Sequence, residues 1–248
     1  MKELLTCVMD IGEQMLVCGA EVHRVEDSVN RMCLALGAKR VDIFIITSSM
    51  VVTVYTNDDE ALTQTRRITG IGSNLEYLHW LNHLSRKICS TPMDAAQIRA
   101  EFQNIRAKTY SFGAQCLACA IIAGSFTLFF GGSVTQALIS LCVGALVKLL
   151  SRLCEGMVTN RVFDKFLCAF GASMLAFLAW RLHWVESIDK IIIGNIMTLI
   201  PGIGLTNALR DLFTGDHIAG LLRTIEAGLI ALVIVAGYFL SAILMGGI

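Results

Sequence analysis

The sequence predicts a membrane α-helical bundle of about five spans that carries an N-terminal cytoplasmic α+β domain. Hydrophobic residues make up 55% of the 248-residue chain, charged residues only 16%, and the mean hydropathy is +0.65. An ordinary soluble domain carries about 25% charged residues. The charge is also unevenly spread: residues 1–108 hold 12 Lys/Arg and 13 Asp/Glu, and the longer remainder holds 8 and 7. Near Lys108–Tyr110 the apolar residues change from periodic patterns to continuous runs. The boundaries that follow are 1–108 for the cytoplasmic domain and 109–248 for the transmembrane domain.

The first element is a long helix. Leu4, Val8, Ile11, Met15, Cys18, Val22, Val25, Val29, Met32 and Leu36 step by four and three, a 3.5-residue seam on one helix face. Gly12 and Gly19 lie inside it, and each costs about 1 kcal/mol against alanine, so a break or close packing is expected near Gly19. Gly37 suits the helix stop. Val41–Thr47 and Val51–Thr56 are rich in β-branched residues and are joined by Ser48-Ser49-Met50, which predicts a hairpin. The first run is apolar at nearly every position, so both its faces are expected to be covered. Asn57-Asp58-Asp59 is a turn signal, and Ala61–Ile68 is a candidate third strand. Ser73 or Asn74 caps a helix running to about Cys89, and Ala95–Ala107 forms the last helix of the domain.

Beyond residue 108 lie five apolar segments: Phe112–Phe130, Val134–Leu150, Phe163–Trp180, Ile188–Leu199 and Ile225–Leu244. A spanning helix needs roughly 20 apolar residues. The fourth segment is short and runs into Pro201-Gly202, so it is expected to be a broken span continued by Ile203–Leu209; a re-entrant segment is the alternative. Lys/Arg in short loops set the orientation. Arg106, Lys108, Lys148, Arg152, Arg161, Lys165, Arg210 and Arg223 fall on one side, whereas Gly131–Ser133 carries no charge and the Arg181–Lys190 loop is balanced. This places the N-terminus in the cytoplasm, the C-terminus outward, and the chain in the cell (inner) membrane.

The composition also excludes several classes. A net charge of zero gives no footprint for nucleic acid. Nine cysteines, an odd number without framework spacing, read as reduced, buried thiols. The apolar stretch Leu4–Met9 is too short for a secretory signal and stops at Asp10. There is no P-loop, no dinucleotide-binding glycine fingerprint and no Gly-x-Ser-x-Gly elbow. No cofactor is expected, and no metal. His79 and His83 have zinc-compatible spacing, but His-Trp-Leu-Asn-His lacks the internal Glu of a zinc-protease motif.

The most informative stretch is Pro201-Gly202 through Asp211. A Pro-Gly pair frees backbone groups that a continuous helix would consume, and transporters use broken helices to bind polar solutes. Asn207 can donate and accept. Arg210 can grip a carboxylate in bidentate fashion. Asp211, or Asp216 beyond Gly215, suits an ammonium group or a proton. Arg223 and Glu226 form an i, i+3 pair; Glu226 is a candidate proton carrier if it lies inside the bilayer and an interfacial residue if it does not. Upstream, Glu21, Arg24, Glu26 and Asp27 form a charge-dense stretch. Its plain reading is a salt-bridged face, with Glu21–Arg24 and Asp27–Arg31 pairs.

These stretches resemble the threonine/serine exporter family, specifically its N-terminal module. The resemblance rests on Gly12-Glu13, Gly19-Ala20-Glu21, Arg24-Val25-Glu26-Asp27, Thr65–Ile68, Asn74-Leu75 and Asn82–Arg86. It continues through Gly194–Met197, Pro201-Gly202, Asn207, Arg210-Asp211, Gly215-Asp216, Gly220, Arg223 and Glu226-Ala227. It implies a non-enzymatic subunit of a secondary exporter of threonine and serine, or of dicarboxylates such as succinate. Because family members with two fused modules have about ten spans, it also implies a second small membrane subunit as partner. Under the resemblance, Pro201, Gly202, Asn207, Arg210, Asp211, Gly215, Asp216, Arg223 and Glu226 are the transport residues. Glu13, Glu21, Arg24, Glu26 and Asp27 form the cytoplasmic family motif. Two other readings stay open. One is a membrane-anchored hydrolase using Glu13, Glu21 or Glu26. The other is an assembly or sensor subunit, a homo-oligomer joined through the heptad seam.

Overall fold

The computed structural model describes residues 1–58, 60–157 and 161–246. Asp59 of the expected turn lies outside them, as do the side chain of Arg161 in the charge reading and residues 158–160. In chain order the elements are α1 (Lys2–Val17), α2 (Val22–Ala35), β1 (Arg40–Ile46), β2 (Ser49–Tyr55), β3 (Ala61–Arg67), α3 (Leu75–Ser90) and α4 (Ala95–Asn104). They continue with α5 (Phe112–Phe129), α6 (Val134–Met157), α7 (Arg161–Arg181), α8 (Asp189–Ile196), α9 (Gly202–Thr214) and α10 (His217–Met245). Two compact units divide them: residues 1–108 with 202–225, and residues 109–201 with 226–248.

In the first unit the long seam breaks where Gly19 stands. Gly19 has φ +89°, a left-handed conformation, and a Cβ there would meet the Gly72 carbonyl oxygen at 2.6 Å. The loop before α3 clasps this corner: the Gly72 amide donates to the Val17 carbonyl at 2.7 Å and the Asn74 amide to the Cys18 carbonyl at 3.1 Å. Gly19→Ala is expected to destabilise the chain by about 1–3 kcal/mol through backbone strain, with the clash in addition. Gly37→Ala, at φ +95° with no atom within 4 Å, bears the strain alone. Thermal melts of the two variants in detergent check the order.

The seam itself is used inside the unit. Val8, Ile11, Met15, Val22, Val25, Val29 and Met32 are buried in one core with Met50, Val52 and Val54 of β2 and with Leu81, Leu84 and Ile88 of α3. The seam residues therefore pack inside the unit rather than on its surface. The sheet is antiparallel in the order β1-β2-β3, with Ile43 opposite Val52 and Val51 opposite Thr65. Its hairpin turn is Thr47-Ser48 rather than Ser48-Ser49-Met50. β1 corrects a second expectation: it alternates in exposure and leaves Phe44 54% exposed, because it is an edge strand with one face on the core. Asn74 caps α3, its side chain accepting from the Tyr77 amide at 3.0 Å, and Asp94 with Gln97 forms a capping box on α4.

In the second unit, α5, α6 and α7 are long and apolar enough to cross a membrane, and so is α10, which continues from the first unit. That makes four candidate spans among the described residues, against about five expected. The expected fourth span is divided into α8, only 8 residues long, and α9, which belongs to the first unit; neither is a candidate by itself. Small residues let these helices approach closely. A Cβ on Gly144 would meet the Cys119 carbonyl at 2.8 Å, and one on Gly237 the Phe166 carbonyl at 2.8 Å. A buried polar network joins α5, α6 and α8: Thr127 Oγ1 donates to Ser140 Oγ at 2.7 Å, and Asn195 Nδ2 donates to the same oxygen at 2.7 Å. All nine cysteines are free thiols. Cys7, Cys18, Cys33, Cys154 and Cys168 are buried as expected, but Cys89 and Cys142 are exposed. Burial pushes the Cys33 thiol up to about 12.

Candidate functional site

The α1–α2 corner leaves Gly19, Ala20 and Glu21 with their polar groups facing outward from a sharp turn. Three side chains from residues 207–223 of the same unit engage them in order. Asn207 Nδ2 donates to the Gly19 carbonyl at 2.9 Å. Arg223 Nη2 donates to the Ala20 carbonyl at 2.8 Å. Arg210 Nη1 donates to the Glu21 carboxylate. Asn207 and Arg210 share one face of α9 by their three-residue spacing, and α9 can begin at Gly202 because Pro201 ends the run before it.

Behind this row sits a buried ion pair. Arg223 Nη1 stands 3.2 Å from Asp211 Oδ2, with side chains 7% and 1% exposed. Arg223 and the Val22 backbone amide are the groups that favour the ionised Asp211 carboxylate. Burial pushes the Asp211 carboxyl up and Arg223 pulls it back down. Gly215, at φ +98°, turns the chain between α9 and α10 and sets Asp216 beside α2. Gly220 keeps the two helices close: a Cβ there would meet the Ala208 carbonyl at 2.9 Å. Glu26, one turn into α2, accepts from the Ile45 amide at 3.2 Å, and burial pushes its carboxyl up, with Asp216 adding to the shift.

The structure therefore brings together Glu21, Glu26, Asn207, Arg210, Asp211, Asp216 and Arg223, which are two groups of expected site residues nearly 190 positions apart. Other expected residues stand elsewhere. Glu13 lies 3.6 Å from Arg66, in a cluster with Asp10 that ties β3 to α1. Asp27 pairs with Arg31 at 2.8 Å, as expected, but Glu21 pairs with Arg210 rather than with Arg24. Arg223 turns to Asp211 instead of Glu226, which is exposed. Pro201 is half-buried and Gly202 exposed. His79 and His83 both lie edge-on to the Trp80 ring.

Two features escaped the sequence reading. A cleft of about 490 Å³ opens between α2 and α3, lined by Arg24, Arg31 and Arg86 together with His23, Asp27 and Asn82. Arg86 lay within a family stretch, but no periodicity links it to Arg24. His23 also lies with Glu26 and Asp216, their ligand-type atoms all within 4.8 Å of one another. Its spacing from Glu26, three residues on one helix, was a visible signal; the third group comes from far along the chain.

Helices of this length and apolarity, four among the described residues, define a multi-pass membrane protein. The chain belongs to the ThrE family, described as "Putative threonine/serine exporter", whose model matches residues 6–245. It is 24% identical to the "Probable succinate transporter subunit YjjP" of Klebsiella aerogenes, over 94% of this chain and 90% of that protein. To the protein of the same description from Escherichia coli strain K12 it is also 24% identical, over 95% of this chain and 92% of that one. No solved structure matches. The family is described as one of exporters.

Proposed function

We propose that this chain is one subunit of a secondary-active inner-membrane exporter of small carboxylate-bearing metabolites, threonine and serine or dicarboxylates such as succinate. A second small membrane subunit works with it, in keeping with the subunit descriptions of its relatives. The observation that carries the substrate class is the Arg210–Glu21 pair. Arg210 is 54% exposed, while its partner carboxylate is 12% exposed. A solute carboxylate reaches the open guanidinium from solvent and replaces Glu21 on it, the same charge-assisted chemistry in exchange. Glu21 leads directly into α2, so its release loosens the corner that Asn207 and Arg223 also hold.

The topology follows from a parity argument. Residues 1–108 and 202–225 share one core, which Ala219 joins, so they lie on one side of the bilayer. An even number of crossings then separates Lys108 from Gly202. α5, α6 and α7 supply three candidates, so α8 with Met197–Ile200 makes the return. Turns at Thr198, Leu199 and Ile200 continue α8 toward Pro201. At 1.5 Å per residue, residues 189–200 reach roughly 18 Å, short of a hydrocarbon core of roughly 30 Å. A segment this short crosses only where protein, rather than lipid, surrounds its end. In this reading α10 is the fifth crossing, the N-terminus is cytoplasmic and the C-terminus faces outward, in agreement with the Lys/Arg distribution.

The test is efflux of labelled succinate and threonine from vesicles reconstituted with this chain and its partner subunit. Losing a charge-assisted hydrogen bond of about 1.5–3 kcal/mol predicts a roughly 10–100-fold loss of efflux in Arg210→Ala, with membrane insertion unchanged. Glu21→Gln weakens the competitor and shifts the apparent substrate affinity instead. Normal efflux from Arg210→Ala removes this site from the mechanism.

A further inference from the structure

His23 opens α2, Glu26 follows three residues later on the same helix face, and Asp216 arrives from the turn between α9 and α10. Each offers one ligand atom, and the three atoms lie within 4.8 Å of one another. Asp216 Oδ2 has no exposed surface and no hydrogen-bond partner, which is costly for a carboxylate oxygen unless something else meets it. The charge balance points the same way. Glu21, Glu26, Asp211 and Asp216 influence one another here, and only Arg210 and Arg223 pair with members of the group. Two carboxylates, Glu26 and Asp216, thus have no cationic side chain paired with them among the described residues, and both lie beside His23.

We propose that His23, Glu26 and Asp216 bind one divalent transition-metal cation of the Mn²⁺ or Zn²⁺ type. The donor set selects that class: an imidazole nitrogen with two carboxylate oxygens suits Mn²⁺, Fe²⁺ or Zn²⁺, whereas Mg²⁺ and Ca²⁺ prefer oxygen alone. A +2 charge balances the two unmatched carboxylates and gives Asp216 Oδ2 the partner it lacks. Glu26 stays oriented by the Ile45 amide, the kind of outer contact that fixes a ligand. An entry path exists, because His23 is exposed and lines the arginine-rich cleft beside α2. The cation ties the α9–α10 turn to α2, next to the Arg210–Glu21 pair but independent of any transported solute.

The experiment uses the purified full chain in detergent, titrated with Mn²⁺ and followed by the paramagnetic signal of the free ion. The expected result is one saturable Mn²⁺ per chain, displaced by Zn²⁺ and weakened at least tenfold in Glu26→Gln, Asp216→Asn and His23→Ala. Glu101→Gln, which removes a carboxylate paired with Lys87 on a different face, leaves the affinity unchanged. Because a variant can fail to fold, the unmodified chain is also melted with and without Mn²⁺, where the ion raises Tm. His23→Ala, an exposed position, serves as the folded variant that loses this rise. Absence of saturable Mn²⁺ and Zn²⁺ binding to the unmodified chain overturns the proposal. So does affinity kept within twofold in all three ligand variants, or a cluster whose melting responds to pH and not to either ion. None of these readouts depends on efflux, so failure here and failure of the exporter reading are separable.

Discussion

Arg223→Met is expected to lower the stability of the folded chain by about 3–5 kcal/mol, the usual consequence of leaving one member of a buried ion pair alone. In a chain of this size that is a fall in Tm on the order of 10 °C. The side chain it removes is 7% exposed and faces a partner that is 1% exposed. It also donates to the Ala20 carbonyl, so the corner between α1 and α2 loses a tie at the same time. The pH dependence has a definite sign. Burial already raises the Asp211 carboxyl, and removing Arg223 takes away the group that pulls it down. A carboxyl raised in the folded state holds its proton longer there than in the unfolded chain. Its contribution is therefore most favourable at low pH and is lost as pH rises through the raised value. The Arg223→Met deficit should shrink as pH falls, because a protonated Asp211 needs no cation. The double variant Arg223→Met/Asp211→Leu should recover most of the loss at neutral pH. Melting curves at two pH values for the single and double variants decide it.

Gly194→Leu is expected to be the most damaging single change in the second unit. A Cβ at Gly194 would collide with Thr127 Oγ1 and lie 2.8 Å from the Ala123 carbonyl. A leucine forces α8 away from α5, and the Thr127–Ser140–Asn195 network opens with it. Asn195 is 1% exposed, and its Oδ1 already lacks a partner, so further unpaired polar groups would be added in an apolar setting. The expected loss exceeds about 4 kcal/mol, read as aggregation or absence of a monodisperse peak in detergent. Gly194→Ala should show a milder form of the same defect. Gly113→Leu, with no atom within 4 Å, should behave like the unmodified chain.

The helices, the hairpin, the third strand and the break at Gly19 were legible because each is written locally, in periodicity, β-branching or a backbone conformation that favours glycine. Local signals failed in particular places. β1 was expected to be covered on both faces because apolar composition cannot tell a central strand from an edge strand, and Phe44 shows which it is. Residues 202–225 were grouped with the transmembrane domain, with Ile203–Leu209 as the rest of a broken span, yet Ala219 and Arg223 are drawn into the first unit. Glu21 was assigned to Arg24 by helical spacing. An i, i+3 rule has no means of knowing that α9 brings Arg210 to the same carboxylate. The individual candidates were nevertheless visible, as a charge-dense stretch around Glu21–Asp27 and as polar side chains after the Pro201-Gly202 break. Their partners were not, since pairing across nearly 190 residues leaves no trace in spacing.

The dependence of residues 1–108 on residues 202–225 has a consequence for biosynthesis. The N-terminal stretch leaves the ribosome first, but its corner at Gly19–Glu21 stays without Asn207, Arg210 and Arg223 until about 115 more residues have been made. At 5–20 residues per second that delay is roughly 6–23 s. During the wait, apolar segments must be handed to the insertion machinery while an unfinished globule stands with one side open. Nascent chains stalled before residue 202 should therefore be protease-sensitive at that corner, and chains released past residue 225 should not.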